Sequence, residues 1–251
     1  MSPFNDLLAG KYWGWLLSGW AVTIGASLLV ITASTLLGTL FAIARTTPIT
    51  AVRAAAVTYL SAFRNTPLLI QLFFWYFGVP ALLPPGWMQW LNGPHGGSAA
   101  GGMELLAWPS FEFISAIVGL IFYSTAYVGE EIRAALNSVS ESQTRAAQSL
   151  GMTRWQALRY IVLPQGLAKI VSPLFGQYMN IVKNTSLGMT IGLVELSYRA
   201  RQAEAETFQS FQVYGITTLL YIVLIFALDH LSRVIDQRRR WGPSAAEVAR
   251  A

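Results

Sequence analysis

Three side chains place chemistry where the surrounding sequence is apolar: Arg64, Lys183 and Asn184. A guanidinium or an ammonium pairs with a carboxylate, and an amide both donates and accepts hydrogen bonds. A charge set deep in an apolar span costs about 3 kcal/mol on insertion scales, so it must face protein or a water-filled cavity. Pro67 follows Arg64 by three residues, lacks a backbone N–H and can kink a helix over residues 64–66. The carbonyls freed by such a kink are tolerable only when buried in protein or lining water. Arg64 therefore has two readings: it attracts a substrate carboxylate, or it bonds neighbouring carbonyls and holds a gate or kink. Lys183 and Asn184 could contact a substrate, or Lys183 could snorkel to outer headgroups. Enzyme chemistry is thin. His95, in a Gly-Pro loop, and His230, near a helix end, form no metal or catalytic constellation, and the chain has no cysteine. It also lacks a G-x-x-x-x-G-K-[S/T] loop, since Gly10-Lys11 precedes Tyr12 and has no upstream glycine. Nothing here can cradle the phosphates of ATP and its Mg²⁺.

The elements that must position these residues follow from composition. Of 251 residues, 54% are hydrophobic and 12% charged, against about a quarter charged in a soluble domain. So few charges cannot cover a water-soluble globule. A soluble enzyme, a disordered chain and a disulfide scaffold are excluded. What remains is an all-α integral membrane protein, one domain over residues 1–251.

A spanning helix needs about 20 apolar residues. Five spans are expected, at about residues 16–44, 51–79, 111–136, 164–191 and 211–232. The first is not a secretory signal, having no basic region before it and too long an apolar run. Five spans put the termini on opposite sides. With the N-terminus outside, the inner segments 44–53, 133–169 and 233–251 carry twelve Lys/Arg, while the outer ones carry Lys11, Arg199 and Arg201. This asymmetry predicts the N-terminus outside and the C-terminus in the cytoplasm. The net charge of +5 is mainly this orientation signal, with no nucleic-acid partner implied, and Arg238-Arg239-Arg240 directly follow a span. The outer loop 83–107, rich in Gly, Pro and Trp, is expected to cap the bundle at headgroup level. Trp13, Trp15 and Trp20 suit an outer aromatic belt, and Phe73–Phe77 a lipid-facing and packing surface. No repeat period or symmetry between halves appears.

The inner connection, residues 138–163, is long for so hydrophobic a chain. Ser140-Glu-Ser-Gln143 and Thr153-Arg-Trp-Gln156 both fit capping boxes, and Gly151 lies where a left-handed helix terminus is expected. The reading is a helix over 141–150, a glycine turn, and a helix over 154–163 leading through Pro164 into the fourth span. Ala146, Ala147 and Leu150 lie on or near one face, and small side chains permit close approach of another surface. This pattern fits either a helix lying on the membrane or a docking element. Glu130 and Glu131 are candidates to hold the loop through Arg133 or Arg145.

Ala146-Ala147, Gly151, Ile161, Leu163 and Pro164 stand at the spacing of two alanines, three residues, a glycine, nine residues and I-x-L-P. This resembles the "EAA" loop of ABC importer permeases, with Arg145 where the family's leading glutamate stands. Phe63-Arg-Asn-Thr-Pro-Leu-Leu-Ile-Gln-Leu-Phe-Phe74, Ala126-Tyr-Val-Gly-Glu-Glu-Ile-Arg133 and Lys183-Asn-Thr-Ser-Leu187 with Ile191-Gly-Leu-Val-Glu-Leu196 are similar to the polar amino acid permease subfamily. The resemblance covers roughly residues 15–235. It implies a five-helix core of the type I permease in a bacterial inner membrane, half of a pathway completed by a second permease, identical or homologous. It also implies a cytoplasmic ATPase dimer, which uses the ATP and Mg²⁺, and an extracytoplasmic amino-acid-binding protein. This chain would bind no cofactor and be no enzyme. Arg145, Ala146, Ala147, Gly151, Ile161, Leu163 and Pro164 would couple it to the ATPase.

The resemblance also places Lys183 and Asn184 where family members contact the amino acid, with Arg64 a further candidate. Several relatives carry Asp after this lysine. Asn184 leaves the lysine uncompensated, and positive potential in the pathway favours an acidic amino acid, with glutamine or asparagine as the alternative. A membrane scaffold that docks a soluble partner without transport is the other class to separate. A mere anchor has little reason to hold Arg64 and Lys183 in its interior.

Overall fold

The structure is a computed structural model describing residues 10–84, 86–91, 93 and 110–240, with side chains through residue 237. Most of the expected outer cap, His95 and the side chains of residues 238–240 lie outside the described residues. The described residues form helices and turns without a strand. In chain order these are α1 Gly10–Ala44, α2 Thr50–Arg64, α3 Leu68–Leu82, α4 Trp87–Leu91, α5 Phe111–Asn137, α6 Glu141–Ser149, α7 Arg154–Ala157, α8 Leu163–Asn184, α9 Leu196–Thr207 and α10 Ser210–Arg240. Three of them, α1, α5 and α10, are each long and apolar enough to cross a membrane. The second expected span is interrupted between α2 and α3, and the fourth is the more polar α8. With 35 residues, α1 is roughly 52 Å long at 1.5 Å per residue. A hydrocarbon core of about 30 Å therefore requires it to tilt or to extend past the core.

Small residues set the packing. In lipid, helices associate through close backbone approach rather than by removing apolar surface from water. The buried face of α1 carries Gly19, Thr23, Ala26, Ser27, Ser34, Gly38 and Ala42 at helical spacing. Toward the C-terminal end of this face Gly38 meets Gly129 of α5. A β-carbon added at Gly38 would lie 2.9 Å from the Gly129 nitrogen, which real side chains do not tolerate. Gly19 admits α9 in the same way, its missing β-carbon 2.9 Å from the Glu195 carbonyl oxygen. Glu195 is fully buried. It caps α9 by accepting from the Tyr198 N–H at 3.0 Å, and its other oxygen accepts from Thr23 at 3.2 Å and the Tyr221 hydroxyl at 2.7 Å. This one carboxylate ties α1, α9 and α10 together. A buried carboxyl group is tolerated when its oxygens are hydrogen-bonded in this way.

The chain after α2 breaks rather than bends. Asn65 ends α2, and Pro67 precedes the first turn of α3. The freed carbonyls find side-chain donors: Gln71 Nε2 donates to Phe63 O at 2.9 Å and Thr66 O at 3.1 Å, and the Tyr127 hydroxyl to Arg64 O at 3.4 Å. The Phe73–Phe77 cluster divides between two surroundings. Phe74 and Phe77 are exposed, whereas Trp75 packs on Phe122 at 5.0 Å and Tyr76 on Phe111 at 5.6 Å.

Residues 138–163 fold as a helical hairpin. Gly151 has φ +87°, the left-handed conformation that glycine adopts without a side-chain clash. Its N–H donates to Gln148 O at 3.0 Å and that of Met152 to Ala147 O at 3.1 Å, which closes α6 in a Schellman motif. Thr153 and Gln156 form the expected capping box at the start of α7. The Ser140 box does not form. Ser140 accepts from Ser142 N instead, and Gln143 is drawn away to accept from Gln165 of α8 at 2.6 Å. A π turn over Leu158–Val162 carries the chain into α8, where Pro164 occupies the first turn. Proline fits there because its absent N–H is not needed.

Candidate functional site

Two cavities flank α5, one on its α8 side and one on its α2 side. The first, of about 220 Å³, lies between α5 and α8 and is lined by Tyr123, Ser124, Tyr127, Gln177, Asn180, Ile181 and Asn184. Its polar lining is all amide and hydroxyl. Gln177, Asn180 and Asn184 recur at the three- and four-residue intervals that put side chains on one helix face. Ser124 Oγ is buried without a protein hydrogen-bond partner. A buried hydroxyl without a partner costs roughly 1–3 kcal/mol, and here it faces a space large enough for a small polar solute. Gln177 Nε2 also donates to Glu131 Oε1 at 3.1 Å, setting a carboxylate just behind the lining.

The second cavity, of about 400 Å³, is lined by Arg45, Val57, Leu60, Ser61, Arg64, Asn65, Tyr127 and Glu130. Glu130 pairs with Arg45 and, at 2.5 Å, with Arg133. Arg64 holds its guanidinium 5.6 Å from the centre of the Tyr127 ring and forms no ion pair among the described residues.

The three candidate substrate residues therefore do not converge. Asn184 lines the first cavity and Arg64 the second, with Tyr127 shared between them. Lys183 lines neither and is exposed. It sits in the last turn of α8, where a cation complements the helix dipole. The sequence reading did not single out Ser124, Tyr127, Gln177 or Asn180. The regular interval of polar residues in α8 was the signal available for the last two.

The candidate coupling residues occupy both faces of the hairpin. Arg145 is exposed and pairs with Glu141 at 2.6 Å, not with Glu130, whose charge is taken up by Arg45 and Arg133. Glu131 likewise turns to Gln177 instead of the hairpin. An exposed pair of the Arg145 kind is worth about 0–1 kcal/mol. Ala146 faces outward, whereas Ala147 is buried inside the hairpin. Ile161 and Leu163 are half-buried, and Gly151 and Pro164 are exposed. Around them Leu150 (83% exposed), Trp155 (64%) and Tyr160 (62%) present apolar surface outward from an otherwise polar hairpin. Large exposed aromatic residues in such a setting are candidates for a contact surface.

Comparison with known proteins places this architecture. Residues 34–241 match the family described as binding-protein-dependent transport system inner membrane component. The glutamate/aspartate import permease protein GltJ of Escherichia coli K12 is 34% identical over 238 residues, covering 95% of this chain and 91% of that protein. The probable glutamine ABC transporter permease protein GlnM of Bacillus subtilis is 33% identical, covering 88% and 92%. The glutamine transport system permease protein GlnP of Escherichia coli K12 is 26% identical, covering 90% and 93%. Among solved structures, one described as an amino acid ABC transporter with histidines superposes with a TM-score of 0.77 at 27% identity, covering 92% of this chain and 97% of that one. The inward-facing MetNI methionine ABC transporter shares the fold, with a TM-score of 0.63 at 17% identity over 95% of this chain and 99% of that one.

Proposed function

The chain belongs to the family of binding-protein-dependent transport system inner membrane components, and from that premise we propose that it carries acidic amino acids, glutamate or aspartate, into the cell. It is a membrane-embedded permease subunit of an amino acid ABC importer, and ATP hydrolysis lies with a partner. In this reading the first cavity, around Asn184, receives the amino acid. The 138–163 hairpin meets a cytoplasmic ATPase dimer that uses ATP and Mg²⁺. A second permease completes the pathway, and an extracytoplasmic binding protein delivers the substrate. Arg145, Ala146, Ala147, Gly151, Ile161, Leu163 and Pro164 form or brace the docking face. The spans run with the N-terminus outside and the C-terminus in the cytoplasm.

The observation that carries the substrate reading is the first cavity's lining. Amides and hydroxyls surround it and no carboxylate lines it; behind the lining stand one cation, Arg64 beyond the shared Tyr127 wall, and one carboxylate, Glu131, whose oxygen is engaged by Gln177. Amide and hydroxyl donors stabilise a carboxylate, and the Arg64 charge favours a net-negative solute on its side of the cavity. Similarity over 95% of the chain to a glutamate/aspartate permease supports the same reading. Glutamine or asparagine is the second reading. It is favoured by the absence of any charge in the lining itself and by the similarity to two glutamine permeases.

The test is Asn184→Asp in the complete complex reconstituted in liposomes. At about 6 Å and an effective dielectric of about 20, a new carboxylate repels a substrate carboxylate by roughly 3 kcal/mol. Glutamate uptake is expected to fall ten- to hundredfold, with glutamine uptake falling less. Unchanged glutamate uptake would contradict the acidic assignment.

A further inference from the structure

Polar residues line two cavities beside α5, one toward α8 and one toward α2, with Tyr127 as their common wall. Along α5, Tyr123 and Ser124 line one and Glu130 the other. Tyr123 and Glu130 are seven positions apart, roughly 10 Å along the helix. Glu130 lies nearer the end of α5 that leads into the hairpin, and so does Arg45, just past the end of α1.

We propose that the hairpin-side cavity is a second carboxylate site on the transport path, in which the Arg64 guanidinium receives the α-carboxylate of an amino acid leaving the Asn184 cavity. The proposal rests on the importer reading and on the Asn184 cavity as the first site. It does not depend on which amino acid is carried, since every α-amino acid bears this group.

Four features of the cavity fit such a station. Arg45 and Arg133 both pair with Glu130, so the one carboxylate lining the cavity is already engaged. Arg64, by contrast, lies over the Tyr127 ring and forms no ion pair among the described residues, which leaves its donors open to an incoming anion. Ser61 and Asn65 add a hydroxyl and an amide, joined to each other at 3.2 Å and able to turn toward a ligand. Tyr127 spends its hydroxyl on a long 3.4 Å bond to the Arg64 carbonyl, which a ligand oxygen can replace. The nearby Glu130 also limits how tightly an anion is held. A transport path requires that balance, since binding must be favourable enough to enter and weak enough to leave.

The test uses the complete complex in liposomes, with the binding protein loaded with its amino acid and initial uptake measured over a range of its concentration. Arg64→Gln is expected to lower the maximal rate about tenfold while the half-saturating concentration changes less than twofold, because capture at the Asn184 cavity is intact. Arg64→Lys is expected to recover most of that rate. Ser61→Asp provides an independent arm should Arg64→Gln fail to fold. Residue 61 lies one helical turn from Arg64, so a carboxylate there occupies the guanidinium without removing it, and the maximal rate should again fall about tenfold. A wild-type maximal rate for Ser61→Asp would overturn the proposal, as would Arg64→Lys performing no better than Arg64→Gln. Asn184→Asp in the same assay separates the two readings. Wild-type kinetics there, with rate lost in Arg64→Gln and Ser61→Asp, would remove the first site and leave the second. The reverse pattern would remove the second site alone.

Discussion

In the 138–163 hairpin the exposed side chains that invite a partner point outward, and backbone geometry holds them there. Gly151 takes a left-handed turn, Thr153 and Gln156 cap α7, and Ala147 fills the space between the two arms. In the α5–α8 region the polar side chains point inward, and no local motif holds them. Ser124 and Asn184 share one cavity and Arg64 lines the other, in a bundle where Gly38 and Gly129 let α1 and α5 touch and Pro67 breaks the second span. One region is thus a short stretch of chain with a stiff shape. The other is assembled from side chains far apart in sequence, on the α2 and α8 sides of α5. In the proposed importer, a motor acting on the first would reach the second, because the hairpin runs without a break into α8, the helix that carries Asn184.

That contrast can be broken outright by deleting residues 144–151. The spans retain their apolar sequence and should insert, while substrate-stimulated ATP hydrolysis by the partner should vanish. Hydrolysis assays on the complex, with membrane extraction as the control, check this. Normal stimulation after the deletion would refute the coupling role.

A finer test uses neighbouring alanines. Ala147→Leu forces extra volume into the buried interior of the hairpin and should cost about 1–3 kcal/mol of local stability, seen as faster proteolysis of this segment. Ala146→Leu leaves the hairpin interior untouched, because residue 146 faces outward. It should instead weaken retention of the ATPase on the detergent-solubilised permease, by tenfold or more, with proteolysis unchanged. Identical behaviour of the two variants would erase the distinction between the hairpin's inner and outer faces.

The smallest expected effect lies at the opposite end of α1, remote from both regions. Lys11 Nζ donates to Glu206 at 2.6 Å, and Tyr12 adds a bond at 3.2 Å. The hydrogen bond from Lys11 holds the Glu206 carboxyl below the usual carboxylate range. The sign follows from linkage. A lowered folded-state value contributes stability above an ordinary glutamate pKa of about 4.3, and that contribution is lost as pH falls through the lowered value. Thermal unfolding of the wild type should therefore show a slight acid-dependent loss that Glu206→Gln lacks, and the pair is exposed enough for the difference to be small. Transport at neutral pH should be indifferent to this change.

The two regions also differ in how far the sequence alone reveals them. The hairpin was legible because its motif consists of residues whose types dictate backbone shape. Glycine with φ +87° and proline in the first turn of a helix leave few alternatives. The direction of each alanine was not legible, because adjacent small residues give no clue to which one a second helix covers. The cavities were only partly legible. An arginine and an asparagine inside apolar spans announce a polar interior, but α1 is apolar almost all round and gives no face from which to orient its neighbours. Their division between two cavities, and the exposure of Lys183 beside them, depend on helix rotation that local sequence does not encode. Glu130 was expected to brace the hairpin through Arg133 or Arg145. It pairs with Arg133, not Arg145, and also with Arg45, a residue 85 positions away.

The chain contains no cysteine, so one introduced thiol reports on one place. Trp155→Cys, in the complete complex with a short bifunctional crosslinker, should join this chain to the ATPase subunit and to nothing else, with the yield changing when ATP is bound. A product linking two permease chains, or no product in a complex that still imports, would contradict the account that the outward face of the hairpin is where the motor acts.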